Sequence, residues 1–288
     1  MPIKHTIKLM LLSTLAFACM NATVKYLENI NAFQIVFFRS LSSLFFTVGF
    51  LLKHNISFAG NNKKLLVLRG LAGVTSMSLF FMSTKYLPIG TAVSLRYLAP
   101  IFAALFAVLF LKEKIWKLQW LFFLMAFLGV IILKGLDTQV NTYGLTLILI
   151  ASVTSGLVYV IISKIGKSEH PVVVVNYFMI ISTIVGAVFS INHWVDPVGW
   201  QWLFLFLLGV FGYFGQLFMT KAFQNAKTSV VAPFKYLEVI FTMLLGVSLF
   251  SEVYTFWSLL GIFMIIIALV LNTLYKSKKD KKTKISAK

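Results

Sequence analysis

Apolar residues fill this chain in ten stretches of about twenty, separated by short polar segments. They lie at approximately 6–24, 32–52, 65–84, 89–111, 115–133, 143–163, 171–191, 201–220, 228–250 and 254–275. A helix needs about 20 residues to cross ~30 Å of hydrocarbon. Lipid offers the backbone no hydrogen-bond partner, so runs of this kind predict helices and nothing else. The pattern also repeats. An ungapped shift of 139 positions lays Ser13 on Ser152, Lys25 on Lys164, Gly70 and Gly73 on Gly209 and Gly212, and Glu113 on Glu252. The same shift lays Arg96-Tyr97-Leu98 on Lys235-Tyr236-Leu237 and Ile101-Phe102 on Ile240-Phe241. The chain therefore reads as a tandem duplication. Five spans per half make the second half enter from the side opposite the first, which predicts an inverted repeat with a site between the halves near the bilayer midplane.

Composition agrees. Of 288 residues 59% are hydrophobic, the mean hydropathy is +0.91 and only 12% are charged, against roughly 25% in a soluble domain. The net charge of +18 raises the question of nucleic acid, and the placement of the basic residues answers it. Counted from an interior N-terminus, most of the 26 lysines and arginines, Arg69 among them, fall on the interior side or in the tail after Tyr275. Lys25, Lys85 and Lys134 fall outside, and Arg39, Arg96 and Lys235 lie within spans. Such asymmetry reports topology and puts both termini in the cytoplasm of a bacterial-type inner membrane. No nucleic-acid partner is expected. The basic tail, 276–288, is expected as a solvated, disordered segment near anionic headgroups. The first span follows Lys4 and Lys8 as a signal peptide would, but it lacks a small-residue cleavage site and matches a span in the second half, so retention is expected.

Several chemistries are excluded by what is missing. Cys19 is alone, which forbids an internal disulfide, and it reads as a small buried hydrophobe. His5, His54, His170 and His193 sit at span edges or in loops, without HExxH or CxxC spacing, so no metal or other cofactor is expected. Neither a GxSxG elbow nor a P-loop is present, and energy for transport has to come from a gradient. A membrane-embedded transferase would need a concentrated acid–base or metal constellation, which the sequence lacks.

The residues that carry information are the ionic ones inside the apolar runs. At 1.5 Å per residue, Arg39 and Arg96 lie ~10 Å into their spans, Lys235 a similar depth from the other face, and Glu238 near the midplane. Each costs about 2.5–3.5 kcal/mol at a helix centre, so they should face the protein interior or a hydrated cavity. Two accounts fit. In one, Lys235 and Glu238 pair along a single helix while Arg39 and Arg96 bond to carbonyls or snorkel outward. In the other, Arg39, Arg96 and Lys235 hold an anion or zwitterion, and Glu238 holds an ammonium group or carries a coupling proton. Asn21, Asn176, Tyr97, Tyr213, Gln216 and Tyr236 are the other polar groups deep enough to line a pocket. Pro100 and Pro233 stand beside the two charged turns as candidate kinks; they do not align with each other, Pro100 matching Val239 and Pro233 matching Ser94. The Gly70/Gly73 and Gly209/Gly212 pairs read as close helix packing. Glu113 and Glu252, at span ends on opposite faces, read as residues that cap or pin helix ends with neighbouring lysines.

Leu98-Ala99-Pro100-Ile101-Phe102-Ala103-Ala104-Leu105 running into Leu111-Lys112-Glu113, with Phe241 to Glu252 in the ninth span, resembles the EamA family of the drug/metabolite transporter superfamily. The resemblance covers residues 7 to 274, as five-helix repeats over 7–135 and 143–274. It implies an all-α membrane fold whose central cavity is walled by the first four helices of each half, the fifth packing outside. It also implies a gradient-driven exporter or exchanger of small metabolites such as amino acids, working as a monomer or homodimer among membrane lipids. A lipid or headgroup flippase, and an importer of a vitamin-like or nucleotide-like anion, are the alternatives that the excess of basic residues permits.

Overall fold

The computed structural model describes residues 3–111, 115–136, 141–165, 168–225 and 234–286, and within them every regular element is helical. In chain order these are α1 Ile3–Tyr26, α2 Ala32–Lys53, α3 Lys63–Ser83, α4 Ile89–Arg96, α5 Ala99–Leu111, α6 Lys117–Leu136, α7 Thr142–Ile165, α8 Pro171–Ser190, α9 Gln201–Asn225, α10 Leu237–Phe250 and α11 Phe256–Ser286. The helices α4 and α5 together form the fourth span, broken at Tyr97–Leu98. The ninth is broken at the matching place, Tyr236.

Local sequence sets the helix starts. Asn31 caps α2 by accepting the Phe33 N–H at 2.8 Å, and its repeat mate His170 caps α8 with Pro171 at the first helical position. Asn62 and Asn141 do the same for α3 and α7. Each cap satisfies a backbone donor that the helix itself cannot.

Packing runs almost entirely between the halves. α1 lies on α9, α3 on α7, α2 on α8 and α6 on α11, with α4 crossing α10. The two-fold relation is visible in individual contacts. On one side Ser42 of α2 fills the space over Gly209, where a β-carbon would stand 2.1 Å from Ser42 Cβ. On the other, Ile181, the mate of Ser42, fills the space over Gly70, the mate of Gly209. Likewise Arg39 lies over Gly212, and its mate Phe178 lies over Gly73. The glycine pairs thus act as sockets for the opposite half, which is how helices approach closely where lipid supplies no hydrophobic drive. At the α2–α8 crossing the contact is self-complementary: Gly186 sits on the Phe33–Phe37 backbone, and the mates of Gly186 and Phe37 form the Thr47–Asn176 hydrogen bond of 3.0 Å. The two-fold axis passes through this crossing.

The fifth helix of each half, α6 and α11, pair with one another beside the core. Gly129 meets the Gly261 carbonyl, and the buried Gln119 amide donates to Asn272 Oδ1 at 2.9 Å. Exposed apolar side chains such as Phe45, Ile184, Leu244 and Phe263 cover the outside, as a surface solvated by acyl chains requires. α11 continues through Ser286, so the basic segment is helical from Lys276 to Ser286 and not disordered there; Lys279 stands 5.0 Å from the Trp116 ring.

Candidate functional site

The two broken spans meet at mid-depth. α4 ends on Arg96 and the first turn of α10 carries Glu238, so a cation stands at a helix C-terminus and a carboxylate at a helix N-terminus, each the sign its helix end favours. Arg96 Nη2 donates to Glu238 Oε1 at 2.9 Å, Tyr97 Oη to Glu238 Oε2 at 2.7 Å, and Asn21 Nδ2 to Oε1 at 3.1 Å. Glu238 is fully buried. Its three donors come from α1 and the fourth span, both in the other half of the chain. The Arg96 guanidinium also lies on the Phe80 ring at 4.0 Å, a contact worth up to ~2 kcal/mol once desolvated. Unlike Glu238, Arg96 keeps 24% of its side chain accessible.

Tyr97 and Tyr236, the paired break residues, face each other edge to face at 5.3 Å, and Lys235 Nζ stands 5.6 Å from the Tyr97 ring. The ion partner of Glu238 is therefore Arg96 across the repeat boundary, not Lys235 one turn back. Arg39 is 4% exposed, and its donors point at two thioether sulfurs, Met20 at 3.4 Å and Met77 at 3.0 Å. Met20 precedes Asn21, which places Arg39 directly beside the knot.

Six of the predicted residues, Asn21, Arg96, Tyr97, Lys235, Tyr236 and Glu238, converge, with Arg39 adjoining them. Three do not join the knot. Asn176 bonds Thr47 at the α2–α8 crossing, Tyr213 stacks on Phe46 at 4.8 Å, and Gln216 is half-buried farther along α9. Pro100 occupies the first turn of α5, where its missing N–H costs nothing to α5 but leaves the Arg96 carbonyl without its helical donor. Pro233 and Glu113 lie outside the described residues.

Two residues emerge only from the fold. Arg69, assigned by its sequence position to the interior surface, is buried in α3 with its guanidinium 4.1 Å from the Phe178 ring. Tyr159 of α7 is within electrostatic reach of Arg69, Tyr97 and Tyr236 and yet 43% exposed. Tyr159 is the repeat mate of Met20, which was the one signal available for it in the sequence.

On the face opposite the N-terminus the two halves are tied to each other by hydrogen bonds. Glu252 accepts the Ile89 N–H at 2.9 and 3.0 Å, capping α4 from the second half, and Tyr254 donates to Glu252 at 2.6 Å while accepting the Gly90 N–H at 3.1 Å. Burial, then Glu252 as hydrogen-bond partner and charge, pushes the Tyr254 phenol far above its usual range. Lys25 and Lys85 line a cavity of about 390 Å³ beside it; burial lowers the Lys85 ammonium against the opposing pull of Glu28. Replacing Glu252 with alanine is expected to cost ~1–2 kcal/mol, as loss of a cap does, and glutamine less, since it keeps an acceptor. Thermal unfolding of the purified variants measures the difference.

Ten apolar spans in two inverted halves, closing on a charged knot where two broken helices meet, define a polytopic membrane transporter of the drug/metabolite class. The chain belongs to the EamA-like transporter family, whose model matches residues 5–134 and 142–274. It is similar to the pseudopaline exporter CntI of Pseudomonas aeruginosa PAO1, 26% identical over 96% of this chain and 98% of that protein. It is similar as well to the S-adenosylmethionine uptake transporter of Rickettsia felis, 26% identical over 93% and 92%. Solute carrier family 35 member G1 of Mus musculus is 28% identical over 89% and 75%. A solved crystal structure sharing 20% identity superposes with a TM-score of 0.65 over 96% of both chains, a likeness of fold. Family and relatives are transporters, and this chain is one rather than an enzyme.

Proposed function

We propose that this protein is a secondary transporter that exports or exchanges small zwitterionic or anionic organic metabolites, amino acids or their relatives, by alternating access. The inner membrane is its place, with both termini cytoplasmic. The observation that carries the reading is the Arg96–Glu238 pair at the junction of two broken spans. A carboxylate that shares its oxygens among a guanidinium, a phenol and an amide can release Arg96 to a substrate carboxylate and take up an ammonium or a proton in exchange. Arg96 and Lys235 occupy two-fold-related positions, so a ligand between them is held by both halves and can be handed from one face to the other as the halves rock. The capped α4 end and the Glu252–Tyr254 pair support a state closed on the face away from the termini. Relatives named for pseudopaline export and S-adenosylmethionine uptake support an organic metabolite as cargo.

The test is flux of radiolabelled amino acids through proteoliposomes, with and without an imposed proton gradient. Arg96→Ala and Lys235→Ala are each expected to lower transport roughly 10- to 100-fold, the worth of a charge-assisted hydrogen bond, while eluting as folded monodisperse protein. Near-normal flux through both variants overturns the reading.

A further inference from the structure

Glu238 is not enough to balance the cations around it. Among the described residues the core of the bundle holds three arginines, from α2, α3 and α4, and Glu238 pairs with only one of them. The three guanidinium groups follow α3 as a row, Arg69 Nη1 at Gly73, Arg39 donating to Met77 Sδ at 3.0 Å and Arg96 on the Phe80 ring at 4.0 Å, and like charges so placed raise one another's cost. Glu169, the other buried carboxylate among the described residues, lies between α7 and α8 and is occupied by the Asn61 and Asn62 backbone N–H groups. Arg39 addresses only sulfurs, which are weak acceptors. Arg69 is 7% exposed, and its Nε and Nη1 have no hydrogen-bond partner at all. An aromatic face supports the Arg69 charge from one side without using its in-plane donors.

Buried charges persist in proteins when something pairs with them. A guanidinium offers a fork of donors that matches a carboxylate in plane. The sockets for both side chains are built: Gly212 leaves room for the Arg39 guanidinium, and Gly73 for that of Arg69, whose Nη1 would lie 2.8 Å from a β-carbon there.

We propose that Arg39 and Arg69 form a second anion subsite beside the Arg96–Glu238 knot, and that the substrate carries at least two acidic groups, one read at Arg96 and the next along the row at Arg39 and Arg69. This rests on the transport reading above and narrows its substrate to organic di- or tricarboxylates, including amino acids with an acidic side chain. A substrate with one carboxylate satisfies Arg96 and leaves the row uncompensated. A second carboxylate fills the open donors of Arg69 and replaces the poor acceptors of Arg39.

The experiment is thermal stabilisation of the purified full chain, in chloride-free buffer, by alanine, glutamate, glutarate and tricarballylate, with chloride and inorganic phosphate as separate arms. Half-saturation by glutamate, glutarate and tricarballylate is expected at least tenfold below that by alanine, one charged hydrogen bond's worth. Arg69→Gln and Arg39→Gln should each raise the glutarate value about tenfold and move the alanine value less than about twofold. Arg69→Lys, which keeps the charge, should recover part of the preference, and serves if the glutamine variant fails to fold. Equal half-saturation by alanine and glutarate overturns the second subsite while leaving the transporter reading intact. So does a variant that shifts both ligands alike, or chloride or phosphate matching glutarate, which would assign the row to an inorganic ion. No stabilisation by any carboxylate overturns the subsite and the amino-acid reading together.

Discussion

Glu238→Ala is expected to abolish transport and to lower the stability of the purified protein by ~3–5 kcal/mol, the cost of leaving one member of a buried ion pair alone. Three side chains lose their acceptor at once: Arg96, Tyr97 and Asn21 all donate to this one carboxylate. Arg96 keeps its contact with Phe80, but a ring face cannot replace an anion. The Asn21 amide would be worse off still, since its oxygen already lacks a partner. Glu238→Gln separates charge from shape. It keeps an acceptor for Tyr97 and fills the same volume, so it should fold with a much smaller loss. Flux driven by a proton gradient should nevertheless fall to background if Glu238 carries the proton, with exchange of labelled for unlabelled substrate surviving. Wild-type flux and melting temperature in the alanine variant would falsify the placing of this knot at the centre of both fold and function.

Gly186→Ala comes second, and its effect falls on assembly. A β-carbon there would stand 2.6 Å from the Phe37 nitrogen, 2.8 Å from its α-carbon and 2.9 Å from the Phe33 carbonyl oxygen. All three are backbone atoms of α2, so no rotamer change relieves the clash and the two helices have to separate. Overpacking costs ~1–3 kcal/mol where side chains can move, and more where they cannot. Because this crossing lies on the two-fold axis, separation there also spoils the Thr47–Asn176 bond at its other end. Gly70→Ala meets only the tip of the Ile181 side chain, and Gly49 has open space around it. The expected order of destabilisation is Gly186 far above Gly70, with Gly49→Ala near neutral. Fluorescence-detected gel filtration after a heating series reads that order directly, and equal melting of the Gly186 and Gly49 variants would contradict it.

Much of the architecture was legible because the bilayer permits so little. A run of twenty apolar residues in lipid has no alternative to a helix, and a repeat with an odd number of spans has no alternative to inversion. The sequence marked candidate kinks at Pro100 and Pro233, which do not align, whereas the breaks fall at the matched positions Tyr97–Leu98 and Tyr236. The site was half legible for the same reason. Ionic groups in apolar runs announce themselves by their cost, and Arg39, Arg96, Lys235 and Glu238 are all within or beside the knot. Arg69 escaped because it lies only six residues inside its helix, where a basic residue can equally well reach the surface. Tyr159 escaped because a tyrosine in a membrane helix is unremarked unless its neighbours are known. Asn176 and Tyr213 lie at comparable depth but bond Thr47 and stack on Phe46 away from the knot, because depth in a span carries no record of which way a side chain faces.

By itself the sequence determined the element list, the duplication and the depth of each charge, because these depend on distance along a helix axis. Which charges meet was decided only by the tertiary structure. Rotation of each helix about its axis is set by contacts with the other half, by Gly209 and Gly212 receiving Ser42 and Arg39 and by Gly186 closing on Phe37. Those rotations turn Glu238 toward Arg96 rather than toward Lys235 in its own helix. Hydropathy carries no record of that angle, since a helix in lipid is apolar on nearly every side.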